Sequence, residues 1–136
     1  MNIDDKEKSW VGVDLDGTLA YYEKWESHEK IGEPIEPMVE LVRKMLADGV
    51  RVKIMTARVS AVSLELGGVS REDALRPIYA WCLKHLGCVL EVTSEKDAYM
   101  EKLYDDNAVP VIRNFGCSEC TFLSAMRHAV PGGREK

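Results

Sequence analysis

Short apolar runs of strand character alternate along this chain with segments whose apolar residues recur at helical spacing. Most of the runs stop at an acid or a hydroxyl. Trp10-Val-Gly-Val13 ends at Asp14, and Val50-Arg-Val-Lys-Ile-Met55 at Thr56-Ala-Arg58. Cys88-Val-Leu-Glu-Val-Thr93 is followed by Ser94, and Leu103-Tyr104 by Asp105-Asp106. Val109-Pro-Val-Ile112 reads as a fifth strand, with its proline suited to a sheet edge. Between the first two runs Met38, Leu41, Val42, Met45 and Leu46 share one helical face, after Pro37 and before Gly49. Residues 59–69 read as a loop. Ser70 and Asp73 then form a capping box for a helix carrying Leu75, Ile78, Tyr79, Cys82, Leu83 and Leu86, where Pro77 predicts a kink or a later start. A last helix is predicted over 118–129.

Strand, helix, strand, helix in this order predicts right-handed crossovers. The fold class is therefore α/β: a doubly wound, Rossmann-like three-layer sandwich, with a mainly parallel five-stranded sheet and helices on both faces. A chain of 136 residues supports one such domain. It is expected over 9–130, after a lead-in of residues 1–8 and before a flexible tail at 131–136. The charged start, Met1-Asn-Ile-Asp-Asp-Lys-Glu-Lys-Ser9, is unlike a signal peptide, and no apolar run nears the ~20 residues needed to cross a bilayer. Four cysteines without a secretion signal suit a cytoplasmic protein. The net charge of −5 speaks against a broad nucleic-acid-binding face.

In parallel sheets of this kind ligands bind beyond the carboxyl ends of the strands. Asp14, Thr56, Lys96 and Asp105 all lie at or just after predicted strand ends, so they can meet at one edge. Asp14-Leu-Asp16 puts two carboxylates on a tight turn that Gly17 permits. Asp105 or Asp106 adds a third or fourth. Like charges at contact distance raise one another's pKa, so the group calls for a cation. Oxygen donors with no histidine nearby favour Mg²⁺ over zinc.

These residues, in this order, resemble the four motifs of the haloacid dehalogenase-like hydrolase superfamily, in its phosphatase branch. Asp14-Leu-Asp-Gly-Thr18 corresponds to the first motif, Thr56 to the second, Lys96 to the third and Asp105-Asp106 to the fourth. The resemblance covers residues 11 to about 107. It implies a Mg²⁺-dependent phosphomonoester hydrolase in which Asp14 attacks phosphorus and Asp16 serves as acid and base. Thr56 and Lys96 would bind the phosphoryl oxygens. Asp14, the Asp16 backbone carbonyl and Asp105 would hold the metal, with Asp106 in support or as the alternative ligand. True dehalogenases lack the second acid, so Asp16 favours phosphate chemistry. Receiver domains use similar residues but carry the acidic pair first, whereas here it comes last.

The gaps between the motifs leave no room for a cap domain, which implies an open site or a lid borrowed from a second copy. The loop at 20–34 would act as a short flap with Tyr21, Tyr22, Trp25 and His28 near the mouth. Its aromatic rings either stack on a base or sugar or pack the flap onto the domain. Arg58 either reaches a second phosphate or the substrate body, or forms a structural ion pair. Thr56-Ala-Arg58 and Asn114-Phe-Gly116 further resemble small phosphatase-like proteins of phages and prophages. A small phosphorylated metabolite or a nucleotide is the expected substrate. The alternatives are a polynucleotide 3′-end, or a non-catalytic binding module that keeps the fold. Cys117-Ser-Glu-Cys120 has zinc-ligand spacing that Cys82, His85 and Cys88 could complete, but Cys82 lies on the apolar helical stripe and no second such pair exists.

Overall fold

The computed structural model describes residues 7–119 and Met126. These fall in two compact units, one ending at Asp106 and the other beginning at Asn107. The first holds strand β1 (Trp10–Asp14), helix α1 (Glu36–Ala47), strand β2 (Val52–Met55), a 3₁₀ turn at Ala57–Val59, helices α2 (Ala61–Gly67) and α3 (Arg71–Leu86), and strands β3 (Glu91–Thr93) and β4 (Met100–Tyr104). No helix among the described residues is long and apolar enough to cross a membrane.

The strands form one parallel sheet in the order β3-β2-β1-β4. The α/β reading holds, but the sheet has four strands, not five. Val109, Val111 and Ile112 are exposed, and Ile112 instead exchanges hydrogen bonds with Gly116 across a tight turn. Asn114 and Gly116 both adopt positive φ there. Pro110 has no amide to offer a ladder, and among the described residues the run joins no strand of the sheet.

Register shows why one sheet face is apolar. Paired residues of parallel strands point the same way, so Val11 and Val52, Val13 and Ile54, and Ile54 and Val92 share a face. Val13, Val52, Ile54 and Val92 form the core with Val39 and Val42 of α1 and Ala74, Ile78, Trp81 and Cys82 of α3. The two helices also touch, and Arg43 of α1 donates to the His85 carbonyl of α3. The other face carries Trp10 and Gly12. Trp10 is nearly inaccessible, with Lys53 Nζ 4.5 Å from its ring centroid and its indole N–H donating to Asp97 at 2.8 Å. The connection from β3 to β4, residues 94–99, contains no helix.

Helix α3 runs unbroken from Arg71 through Pro77, so the helix does not start later. Pro77 sacrifices one backbone bond, at a cost of about 3 kcal/mol in a helix interior. Burial of Ala74, Ile78, Trp81, Cys82 and Leu86 on one stripe outweighs that loss. Ser70 accepts from the Asp73 amide at 3.1 Å, the N-cap half of the expected box. The segment read as a loop at 59–69 contains α2, capped by Ser60 on the Ser63 amide and ended by Gly68 in the left-handed region. The strand expected at 88–93 begins only at Glu91, and the one expected at 103–104 begins earlier, at Met100. Most of the last helix expected over 118–129 (residues 120–125 and 127–129) and the tail at 131–136 lie outside the described residues.

Candidate active site

Strand order reverses about β1: β2 and β3 lie on one side of it and β4 on the other. The crevice at such a reversal, beyond the carboxyl ends of β1 and β4, is where open parallel sheets bind ligands. Val13 is level with Tyr104, so Asp14 and Asp105 leave the sheet side by side.

The chain turns sharply there. The Leu15 carbonyl accepts from the amides of Leu19 and Ala20, and Gly17 donates to the Ala20 carbonyl. Leu15, Leu19 and Ala20 are fully buried, so core packing anchors the turn. Gly17 has φ +91°, and a β-carbon on it would sit 2.5 Å from an Asp106 carboxylate oxygen. The positive φ favours glycine here, and a β-carbon would also have to displace the Asp106 carboxylate.

Asp14, Asp105 and Asp106 each present a carboxylate oxygen within 4.8 Å of the others, the only such group of three metal-ligating side chains among the described residues. Thr18 ties two of them together. Its hydroxyl lies 3.2 Å from Asp14 Oδ2 and 3.1 Å from Asp106 Oδ1, while its oxygen accepts from the Asp106 amide at 3.0 Å. With one proton, the hydroxyl can fully satisfy only one carboxylate at a time. The Asp14 carboxyl is raised from 3.8 to about 7, chiefly by burial, then by its contact with Asp106 and the charge of Asp105; the Thr18 hydroxyl opposes the shift. Three clustered carboxylate oxygen donors are of the kind that a hard divalent cation such as Mg²⁺ takes.

Asp16 does not join this group. Arg58 grips its carboxylate with two parallel hydrogen bonds, Nε to Oδ2 at 2.7 Å and Nη2 to Oδ1 at 2.9 Å. The Arg58 side chain is only 5% exposed and that of Asp16 19%. Arg58 also donates to the carbonyls of His28 at 2.9 Å and Lys30 at 2.8 Å, and its guanidinium lies 4.7 Å from the centre of the Trp25 ring. Of the two readings of Arg58, the structure supports the ion pair, and it extends that pair to the flap. Thr56 is buried directly after β2, whose Met55 pairs with Asp14. Its hydroxyl accepts from the Arg58 amide and starts the 3₁₀ turn. Thr18, Thr56 and Arg58 are the buried polar side chains of the described residues, and all three belong to this corner.

Lys96 is not brought to the carboxylates. It is exposed, makes no hydrogen bond or ion pair among the described residues, and is not among the groups acting on Asp14. Its neighbour Asp97 is fixed on Trp10 at the start of β1. Thr18 was not singled out from sequence, although it closes the Asp-x-Asp-Gly-Thr run. Its role depends on Asp106, 88 positions away. Cys82 is fully buried in the core with its thiol pushed up to about 11 by burial, and Cys120 lies outside the described residues.

No family model matches the chain, and no curated protein does. Among solved structures it is similar to a conserved protein coded by a locus of Bacteroides thetaiotaomicron. Identity is 16%, over 90% of this chain and 93% of that one, with a TM-score of 0.49.

Proposed function

We propose that the protein is a Mg²⁺-dependent phosphomonoester hydrolase of the haloacid dehalogenase-like type, without a cap domain and with a Rossmann-like, doubly wound core. The observation that carries this reading is the convergence of Asp14, Asp105 and Asp106 at the point where strand order reverses. Asp14, Asp105 and Asp106 would hold the metal, which supplies charge neutralisation for the phosphate oxygens. The Asp14 carboxylate attacks phosphorus and forms an aspartyl-phosphate as the ester oxygen departs with a proton from Asp16. Asp16 then takes a proton from water, whose oxygen attacks the same phosphorus; inorganic phosphate leaves and Asp14 is regenerated. Thr56 contributes a hydroxyl to the phosphoryl group from the neighbouring strand end. Lys96 is assigned to the same oxygens by motif order alone. The substrate is a small phosphorylated metabolite or nucleotide, handled in the cytoplasm; a polynucleotide 3′-end and a lid from a second copy are alternatives.

One observation favours the second reading, a binding module that retains the fold: both Asp16 oxygens are occupied by Arg58. Turnover separates the two. Phosphate release from an aryl phosphate in Mg²⁺ is expected, abolished by EDTA and reduced at least about 10³-fold in Asp14→Asn. No release from a broad panel of phosphate esters by the folded, magnesium-loaded protein would leave the binding module as the better account.

A further inference from the structure

A cavity of about 270 Å³ opens under the flap, bounded by Asp16, Tyr21, Tyr22, Trp25, Lys30 and Arg58. It is small beside the roughly 300–1,000 Å³ typical of ligand pockets, so it suits one ring system rather than a bulky group. The aromatic side chains around it do not pack inward: Tyr21 is 59% exposed, Tyr22 43% and Trp25 53%. Tyr21 and Trp25 are nevertheless held in place. The Tyr21 hydroxyl donates to Glu23 at 2.6 Å, and its amide donates to the Glu33 carbonyl. A β-carbon on Gly32 would lie 1.9 Å from the Tyr21 carbonyl oxygen, and the Gly32 carbonyl accepts from Trp81 of α3 at 2.9 Å. The Trp25 ring rests on the buried Arg58 guanidinium. Fixed aromatic faces beside a cavity are a stacking platform whose ordering cost is already met in the free protein.

We propose that this cavity takes a flat heteroaromatic ring carried by the leaving group, as in a nucleoside monophosphate. The assignment rests on the phosphatase reading in one respect. Asp16 is there the proton donor to the leaving group, so that group must lie on the Asp16 side of the phosphate, and Asp16 is itself a wall of the cavity. Charge narrows the class further. With Arg58 and Asp16 paired, the remaining charged lining is three glutamates and two lysines, which disfavours a second phosphate or a polynucleotide strand. A neutral base with hydrogen-bonding edges fits this polar rim better than a plain phenyl ring.

Two measurements test the proposal. Adenosine, cytidine and phenol are titrated by NMR against Asp14→Asn protein, in which turnover is blocked, and against the same protein carrying Tyr22→Ala with Trp25→Ala. Nucleosides are expected to bind, phenol more weakly, and the aromatic substitutions to weaken nucleoside binding at least tenfold. In turnover, the Tyr22→Ala/Trp25→Ala protein is expected to lose at least tenfold more kcat/KM on nucleoside monophosphates than on glycerol phosphate. Tyr22→Ala alone, which leaves the Arg58–Trp25 stack intact, is expected to move both readouts the same way with a native melting profile. Nucleosides that bind neither protein, or bind both equally, would overturn the subsite even if glycerol phosphate is hydrolysed. Ring-dependent binding without hydrolysis of any ester would instead keep the subsite and sink the phosphatase reading.

Discussion

Thr18 offers one hydroxyl proton to two carboxylates, and that small shortage is a useful handle on the site. Replacing it by valine removes the bridge between Asp14 and Asp106 while keeping the branched shape. Side chains that orient metal ligands typically contribute 10- to 100-fold to affinity, so Thr18→Val is expected to weaken Mg²⁺ binding by about that factor in calorimetry. Unchanged affinity would mean that the threonine only shapes the turn. Asp14 makes a second residue-scale prediction. Its carboxyl titrates near 7 in the metal-free protein against an ordinary 3.8, so ionising it costs the folded state more than the unfolded chain. That contribution to stability is intact below about pH 4 and is lost as pH rises through about 7. Denaturant melts in EDTA are expected to show stability falling across this window, and Asp14→Asn to flatten the fall. The clustering of Asp14 with Asp105 and Asp106 was legible in the sequence because strand ends gather at one edge. The Thr18 bridge was not, because nothing local marks a partner on the far strand of the pair.

At the scale of elements, the joint between flap and turn is Arg58. Its buried guanidinium serves Asp16 and two flap carbonyls together, so its loss strands a half-buried carboxylate. Arg58→Ala is expected to destabilise the fold by roughly 3–5 kcal/mol, as breaking a buried pair usually does. Removing both partners, in Arg58→Ala with Asp16→Ala, is expected to cost less than the two single losses combined, a coupling that a double-mutant cycle reads directly. Additive losses would indicate that the pair is only an accident of proximity. Gly32→Ala is expected to displace the base of the flap, because its β-carbon meets backbone at 1.9 Å, whereas Gly49→Ala meets nothing within 4 Å and suffers only from its positive φ. Helix α2 was missed in sequence because its stripe is not buried, with Val62 and Leu66 exposed, so periodicity gave no signal; only the Ser60 cap and Gly68 stop mark it. The misread strand at 109–112 failed the other way. Val109, Val111 and Ile112 have strand character, but the turn at Asn114–Gly116 folds the segment on itself.

Across the whole molecule, topology makes the site. Because β4 lies beside β1 while β2 and β3 lie on its other side, the two acidic strand ends meet at the point where strand order reverses. The alternation of elements made the parallel sheet legible, but strand count depended on pairings that composition does not fix. Lys96 is placed at the site by motif order and not by a contact. Its position in the sequence suits the third motif, yet its loop is tied at Asp97 to the opposite end of β1. The role of Asp14 as phosphoryl acceptor is therefore the central point to test. Beryllium fluoride mimics a phosphoryl group on an aspartate, so ¹⁹F NMR of the magnesium-loaded protein with BeF₃⁻ reads that role without any choice of substrate. A set of bound fluorine resonances that requires Mg²⁺ and is absent in Asp14→Asn is the expected result. No bound signal in the folded wild-type protein, or a signal that survives Asp14→Asn, would contradict it.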